Sequence, residues 1–144
     1  MSIPDFARGA YAHSLRRTLG ARMVVVFDYR MIGRGYQLIP MSSRAMRSGD
    51  IHELIVTAEA TAAPGAVVND VAVLGFLEFT NGGVLVAGDQ MVLAGREIGH
   101  VVGFDESHAP NHINIVLFAS RCETGIELGA KLEDKAIFAP FLTT

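Results

Sequence analysis

The chain has 144 residues, one cysteine and a formal net charge of −3, a length that builds one hydrophobic core and leaves little room for two. Half of it is hydrophobic and its mean hydropathy is +0.33, yet no apolar run reaches the roughly 18–20 residues of a membrane helix. A helical membrane span and an internal disulfide are therefore excluded, and the acidic balance argues against broad nucleic-acid binding.

Residues 4–19 predict one short helix, because Ile3, Phe6, Ala10, Tyr11, Leu15 and Leu19 roughly follow helical spacing around an interrupting Gly9. After Gly20 the period changes. Arg22 to Arg30 is rich in β-branched and aromatic residues and predicts a strand, broken by Gly33 and Gly35. Tyr36 to Ile39 predicts a second, stopped by Pro40, and the basic stretch Met41 to Asp50 predicts a turn-like loop. Further strands are expected at Ile51 to Thr57 and within Val67 to Thr80, where Gly75 suggests a bulge or barrel corner. Asn81-Gly82-Gly83, Gly88-Asp89 and Ala94-Gly95 punctuate short strands at Val84 to Val86 and Met91 to Leu93. Arg96 to Phe104 and His112 to Ala119 are the clearest strands, and the tail predicts two more at Gly125 to Leu128 and Lys135 to Phe138.

About nine short strands with glycine-rich turns predict a single β domain over residues 1–144, mainly all-β. The expected form is a small antiparallel β-barrel or barrel-like sandwich with one short N-terminal helix. The surplus of apolar residues points to a subunit interface as well as a core, so a homo-oligomer is expected. The lone Cys122 fits a reducing cytoplasm.

The charge is unevenly spread. Residues 1–50 carry eight arginines, no lysine and three acids, whereas residues 51–144 carry four basic and twelve acidic residues. The basic third either docks on the acidic remainder or forms an anion-binding mouth. In the second case Arg44 and Arg47, in the loop Ser42 to Gly49, are the expected clamp.

The densest chemistry lies in Gly103-Phe104-Asp105-Glu106-Ser107-His108-Ala109-Pro110-Asn111-His112-Ile113-Asn114. Two acids, two histidines and two amides share one connection between strands. A turn at Pro110-Asn111 brings His108 and His112 toward one space. Beyond it, His112, Asn114, Val116 and Phe118 share one face, and Ile113, Ile115 and Leu117 the other. Three readings follow. His108 and His112 form an acid/base pair tuned by Glu106 or Asp105, with Asn111 and Asn114 contacting substrate and no cofactor needed. Alternatively His108, His112 and Glu106 or Asp105 hold a divalent metal. The third reading is a polar loop whose side chains merely cap turns.

Other histidines offer less. His100 lies in the alternation Ile98, His100, Val102, Phe104, an apolar face, and is expected in a core or interface. His52 and Glu53 point to opposite faces of their strand, so at most one of them joins a site. His13 is expected to face solvent. No P-loop, GxGxxG, GxSxG or HExxH pattern occurs.

The segments Ser48-Gly49-Asp50-Ile51-His52-Glu53-Leu54, Val73-Leu74-Gly75-Phe76, Gly103-Phe104-Asp105-Glu106 and Pro110-Asn111-His112-Ile113-Asn114-Ile115 resemble a family of short, mostly β bacterial proteins of unassigned function. The resemblance covers most of the chain after residue 25 and implies no activity. The stretch from Gly88-Asp89 to Gly103 is loosely similar to the A component of the sorbitol-type sugar phosphotransferases, in its turn punctuation alone, and no phosphohistidine is carried over. The expected function is that of a small-molecule enzyme performing cofactor-free acid/base chemistry, of the isomerase, lyase, cyclase or hydrolase type, on a small anionic substrate. The alternatives are a non-catalytic ligand-binding or assembly module and a metal-dependent enzyme.

Overall fold

The computed structural model describes Tyr11 and residues 14–140. Most of the helix expected over 4–19, and His13 with it, lies outside the described residues. Among those described, residues 14–18 have no regular structure and Leu19 already opens a strand.

Eleven strands follow: β1 (Leu19–Met31), β2 (Tyr36–Gln37), β3 (Ser43–Met46), β4 (Ile51–Thr57), β5 (Val67–Val68), β6 (Val71–Phe79), β7 (Gly83–Val86), β8 (Gln90–Leu93), β9 (Arg96–Asp105), β10 (Asn114–Phe118) and β11 (Lys135–Ala139). Seven close a ring in the order β1-β11-β8-β9-β10-β4-β6, while β2 pairs β5 and β3 pairs β7 as two small ribbons. The mostly-β barrel architecture is thus as the sequence predicts. One seam departs from the antiparallel expectation, because β4 and β10 run parallel. Two segments differ in kind. The expected loop Met41 to Asp50 contains β3, held by β7. The expected strand Gly125 to Leu128 is instead a one-turn helix, α1, with a Thr124/Glu127 capping box and Gly129 in the left-handed region at its end.

Alternation builds two cores. Leu54 and Val56 of β4, with Ile115 and Leu117 of β10, face the ring interior beside Phe79, Phe104 and Phe138. Ile55, Val73, Val102 and Val116 face outward and are covered by Tyr36, Leu38 and Val68 from the segments around β2 and β5. Bulges break the alternation at two glycines. On β6, Val71 and Val73 face outward, but past Gly75 it is Leu77 and Phe79 that face inward. A Cβ at Gly75 would stand 1.8 Å from the Val25 carbonyl oxygen, so the close strand approach requires glycine. On β9 the register slips between Gly103 and Val101. Val102 and Phe104 therefore fall in different cores, which corrects the single apolar face expected for them. The slip also turns Asp105 away from the interior occupied by Phe104.

Candidate functional site

The pairing register lays one row of side chains across four strands. Asp105 of β9 stands opposite Asn114 of β10, Asn114 beside Glu53 of β4, and Glu53 opposite Phe76 of β6. The row exists because both bulges have already shifted the faces of β6 and β9. Asn114 and Asp105 are 0% and 3% exposed, and Asn114 Nδ2 donates to Asp105 Oδ2 at 2.9 Å. Asp105 Oδ2 also accepts from the Ser107 hydroxyl at 2.6 Å and from the Ser107 amide at 3.3 Å. Asp105 thereby ties the start of the histidine loop to the row.

The loop then folds back on itself. The Ala109 amide donates to the Glu106 carbonyl and the Asn111 amide to the His108 carbonyl, both at 3.0 Å. The two imidazoles stack, with centroids 4.9 Å apart and planes at 17°, and the turn that brings them together is closed from Asn111 to His108 around Ala109-Pro110, one residue earlier than the expected Pro110-Asn111. His112 also sets an edge against Phe76, centroids 4.8 Å apart. Its Nδ1 is 2.7 Å from Asn111 Nδ2. Its Nε2 is buried without a hydrogen-bond partner and lies 3.9 Å from Glu53 Oε1. Glu53, His108 and His112 each offer one ligand atom, and the three atoms lie within 4.8 Å of one another.

Burial dominates the electrostatics. It pushes the Glu53 carboxyl up; His108 opposes the shift and Asp105 adds to it. It pushes the His112 imidazole down, with His108 adding and Asp105 opposing. Tyr36 is raised by burial and, less, by the charges of Glu53 and Asp105, against the pull of Arg34. Burial thus favours a neutral His112 imidazole next to a Glu53 carboxyl whose proton is held more tightly than usual. Two imidazoles and a carboxylate form a donor set for zinc, iron or manganese, and the same groups can exchange protons with a substrate.

The sequence-predicted residues divide. His108 and His112 come together, Asn111 braces His112, and Asn114 and Asp105 anchor the loop. Asn114 Oδ1 is buried without a hydrogen-bond partner. Glu106 Oε2 lies 3.6 Å from Arg44 Nε on β3, and the carboxylate whose ligand atom clusters with those of His108 and His112 is that of Glu53. Arg44 itself has Glu106 as counter-charge, and Arg47 is exposed, with its amide bound by Asp50 Oδ2. Of the neighbours His52 and Glu53, Glu53 is the one that joins. His52 accepts the Ile113 amide at Nδ1, 3.1 Å away, so it fastens the loop's exit from the other face. His100 lies 5.6 Å from Phe118, outside the ring interior. Arg34, Tyr36 and Phe76 carry no local sequence signal; only the pairing of distant strands brings them here.

No curated protein and no solved structure matches the chain. The model of DUF6917, a family of unknown function, matches residues 13–139, and the chain belongs to that family.

Proposed function

We propose that the chain is a metal-dependent enzyme in which Glu53, His108 and His112 hold one divalent transition ion beside a small-molecule substrate. The observation that carries this reading is the convergence of their three ligand atoms within 4.8 Å, on a wall fixed by strand register. Ligands sharing one such ion stand roughly 3–4 Å apart when each bond is about 2.0–2.2 Å. The 3.9 Å between His112 Nε2 and Glu53 Oε1 is too long for a hydrogen bond and suits two atoms on a common ion. A partnerless buried Nε2 supports the same reading. When bound, the ion would polarise a substrate oxygen or lower the pKa of a bound water toward neutrality. Asn111 Nδ2 stands 2.7 Å from His112 Nδ1; ligation through Nε2 takes the Asn111 amide turned so that its Oδ1 accepts from Nδ1–H and the Nε2 lone pair faces Glu53.

Elemental analysis of protein purified without an affinity tag tests this. The expected result is close to one zinc, iron, manganese, nickel or copper per chain, lost in Glu53→Ala and in His112→Ala at unchanged melting temperature in chelator. Sub-stoichiometric amounts of all five, or an ion retained by both variants, would contradict it.

A second reading, cofactor-free acid/base catalysis by the same residues, is favoured by the opposed shifts of Glu53 and His112. Both shifts favour the neutral forms, a free imidazole beside a protonated carboxyl, which suit a base and an acid side by side. Turnover that survives chelator would select it over the metal. The exposed side chains of Tyr29, Ile32 and Val67 support self-association in either case, which light scattering would register as a mass above 15.4 kDa.

A further inference from the structure

We infer that the site takes a substrate carrying a carboxylate or phosphate group, and that Arg34 is the residue that recognises it. This rests on the reading of Glu53, His108 and His112 as the reacting centre. The sequence points to Arg44 and Arg47 for this task, but Arg44 is matched by Glu106.

Arg17, Arg34, Arg47 and Arg96 have no carboxylate partner among the described residues, and of these four Arg34 is the one hydrogen-bonded to the histidine loop, through Ser107. Arg16 is paired with Asp89, Arg22 with Glu78, Arg30 with Glu127 and Arg121 with Glu123. Arg34 makes no ion pair among the described residues. Its guanidinium lies over the Tyr36 ring, 4.3 Å from the centroid, and one nitrogen, Nη2, donates to the Ser107 hydroxyl at 3.2 Å. That hydroxyl passes its own proton toward Asp105, so it accepts from Arg34. Ser107 directly precedes His108, so Arg34 is bonded to the histidine loop one residue before the imidazole pair begins.

The turn that carries Arg34 is held from behind. Its amide donates to the Asn69 carbonyl and the Gly33 amide to Asp70 Oδ1, while the amides of Asn69 and Asp70 both donate to the Glu59 carboxylate. A guanidinium fixed by a ring on one side and a hydroxyl on another, with no carboxylate partner among the described residues, keeps N–H groups for an oxyanion. Fixing it beforehand lowers the ordering cost of binding. Ser107, which accepts from Arg34, donates to Asp105 at the end of the row, so an acid group on Arg34 leaves the rest of a small molecule toward the row.

The test uses the whole chain and two probes, oxalate and inorganic phosphate. Cobalt(II) is added first, and its visible bands give metal affinity for the wild type, Arg34→Gln and Arg34→Lys; each anion is then titrated in. The expected result is equal cobalt affinity in all three and anion affinity at least tenfold weaker in Arg34→Gln. Arg34→Lys should fall between, because it keeps the charge and loses the fork. The preferred probe separates a carboxylate from a phosphate substrate. Equal anion affinity in wild type and Arg34→Gln overturns the inference. Absence of cobalt bands overturns the metal reading instead. Calorimetric titration of the metal-free chain then decides the clamp by the same comparison.

Discussion

Asp105 and Asn114 form the joint between the barrel wall and the histidine loop, and a double-mutant cycle measures it. In Asp105→Ala, the Asn114 amide, 0% exposed, loses its one hydrogen bond and is left with both polar ends unpaired. A hydrogen bond to a charged group contributes about 1.5–3 kcal/mol, and each orphaned buried group costs about 1–3 kcal/mol. Loss of the two Ser107 contacts, nearer the surface, adds about 1 kcal/mol. The single substitution should therefore cost about 4 kcal/mol. Asn114→Leu, which keeps the volume and removes the amide, should cost about 2 kcal/mol because Asp105 keeps its two bonds from Ser107. The double variant leaves no orphaned amide and should cost about 4 kcal/mol rather than the sum, a coupling of about 2 kcal/mol. Urea denaturation followed by circular dichroism reads all four proteins, at constant m-value. Additive losses would refute the claim that this pair acts as one buried unit.

Three further predictions follow from the same geometry. His52 accepts the Ile113 amide and burial lowers its pKa below 6.5; the unfolded chain therefore takes up its proton first as pH falls. The stability it contributes is full above about pH 6.5 and lost below, so His52→Leu should be less stable at pH 8 yet show a flatter acid limb in denaturation. Asn111→Leu, which frees His112 Nδ1, should weaken metal binding by about 10–100-fold, whereas Asn111→Asp should preserve or strengthen it; competition with a chromophoric chelator measures both. Gly75→Ala would bring a Cβ to 1.8 Å from the Val25 carbonyl at a φ of +155°, and the cooperative thermal transition should vanish; a melting temperature within a few degrees of wild type would contradict the strand approach.

Local patterns were legible wherever local chemistry decides. Ile51–Thr57 is a strand over its predicted span because its alternation serves both cores. A turn at Pro110 does bring the two histidines together, because turn chemistry acts within a few residues, though its middle is Ala109-Pro110 rather than Pro110-Asn111. Gly75 marks a bulge for the same reason. What failed was long-range. Glu53 joins histidines more than fifty positions away only because β4 and β10 pair in parallel, and no periodicity encodes which strands become neighbours. A strand in the arginine-rich loop was hidden because β3 is stabilised by its partner β7 rather than by its own composition. The helix at Gly125–Leu128 had a visible signal, the Thr124-x-x-Glu127 box, which outweighs the strand-like look of so short a segment.

The central claim is that three side chains from two distant parts of the chain share one ion on the outer wall of a β ring. Crystals grown with manganese or zinc, with diffraction recorded above and below the metal's absorption edge, test it most directly. The account predicts one strong anomalous peak about 2.0–2.2 Å from a carboxylate oxygen of Glu53 and from one nitrogen each of His108 and His112. A map whose only peaks lie elsewhere, or in which the two imidazoles turn to separate backbone partners, would contradict it.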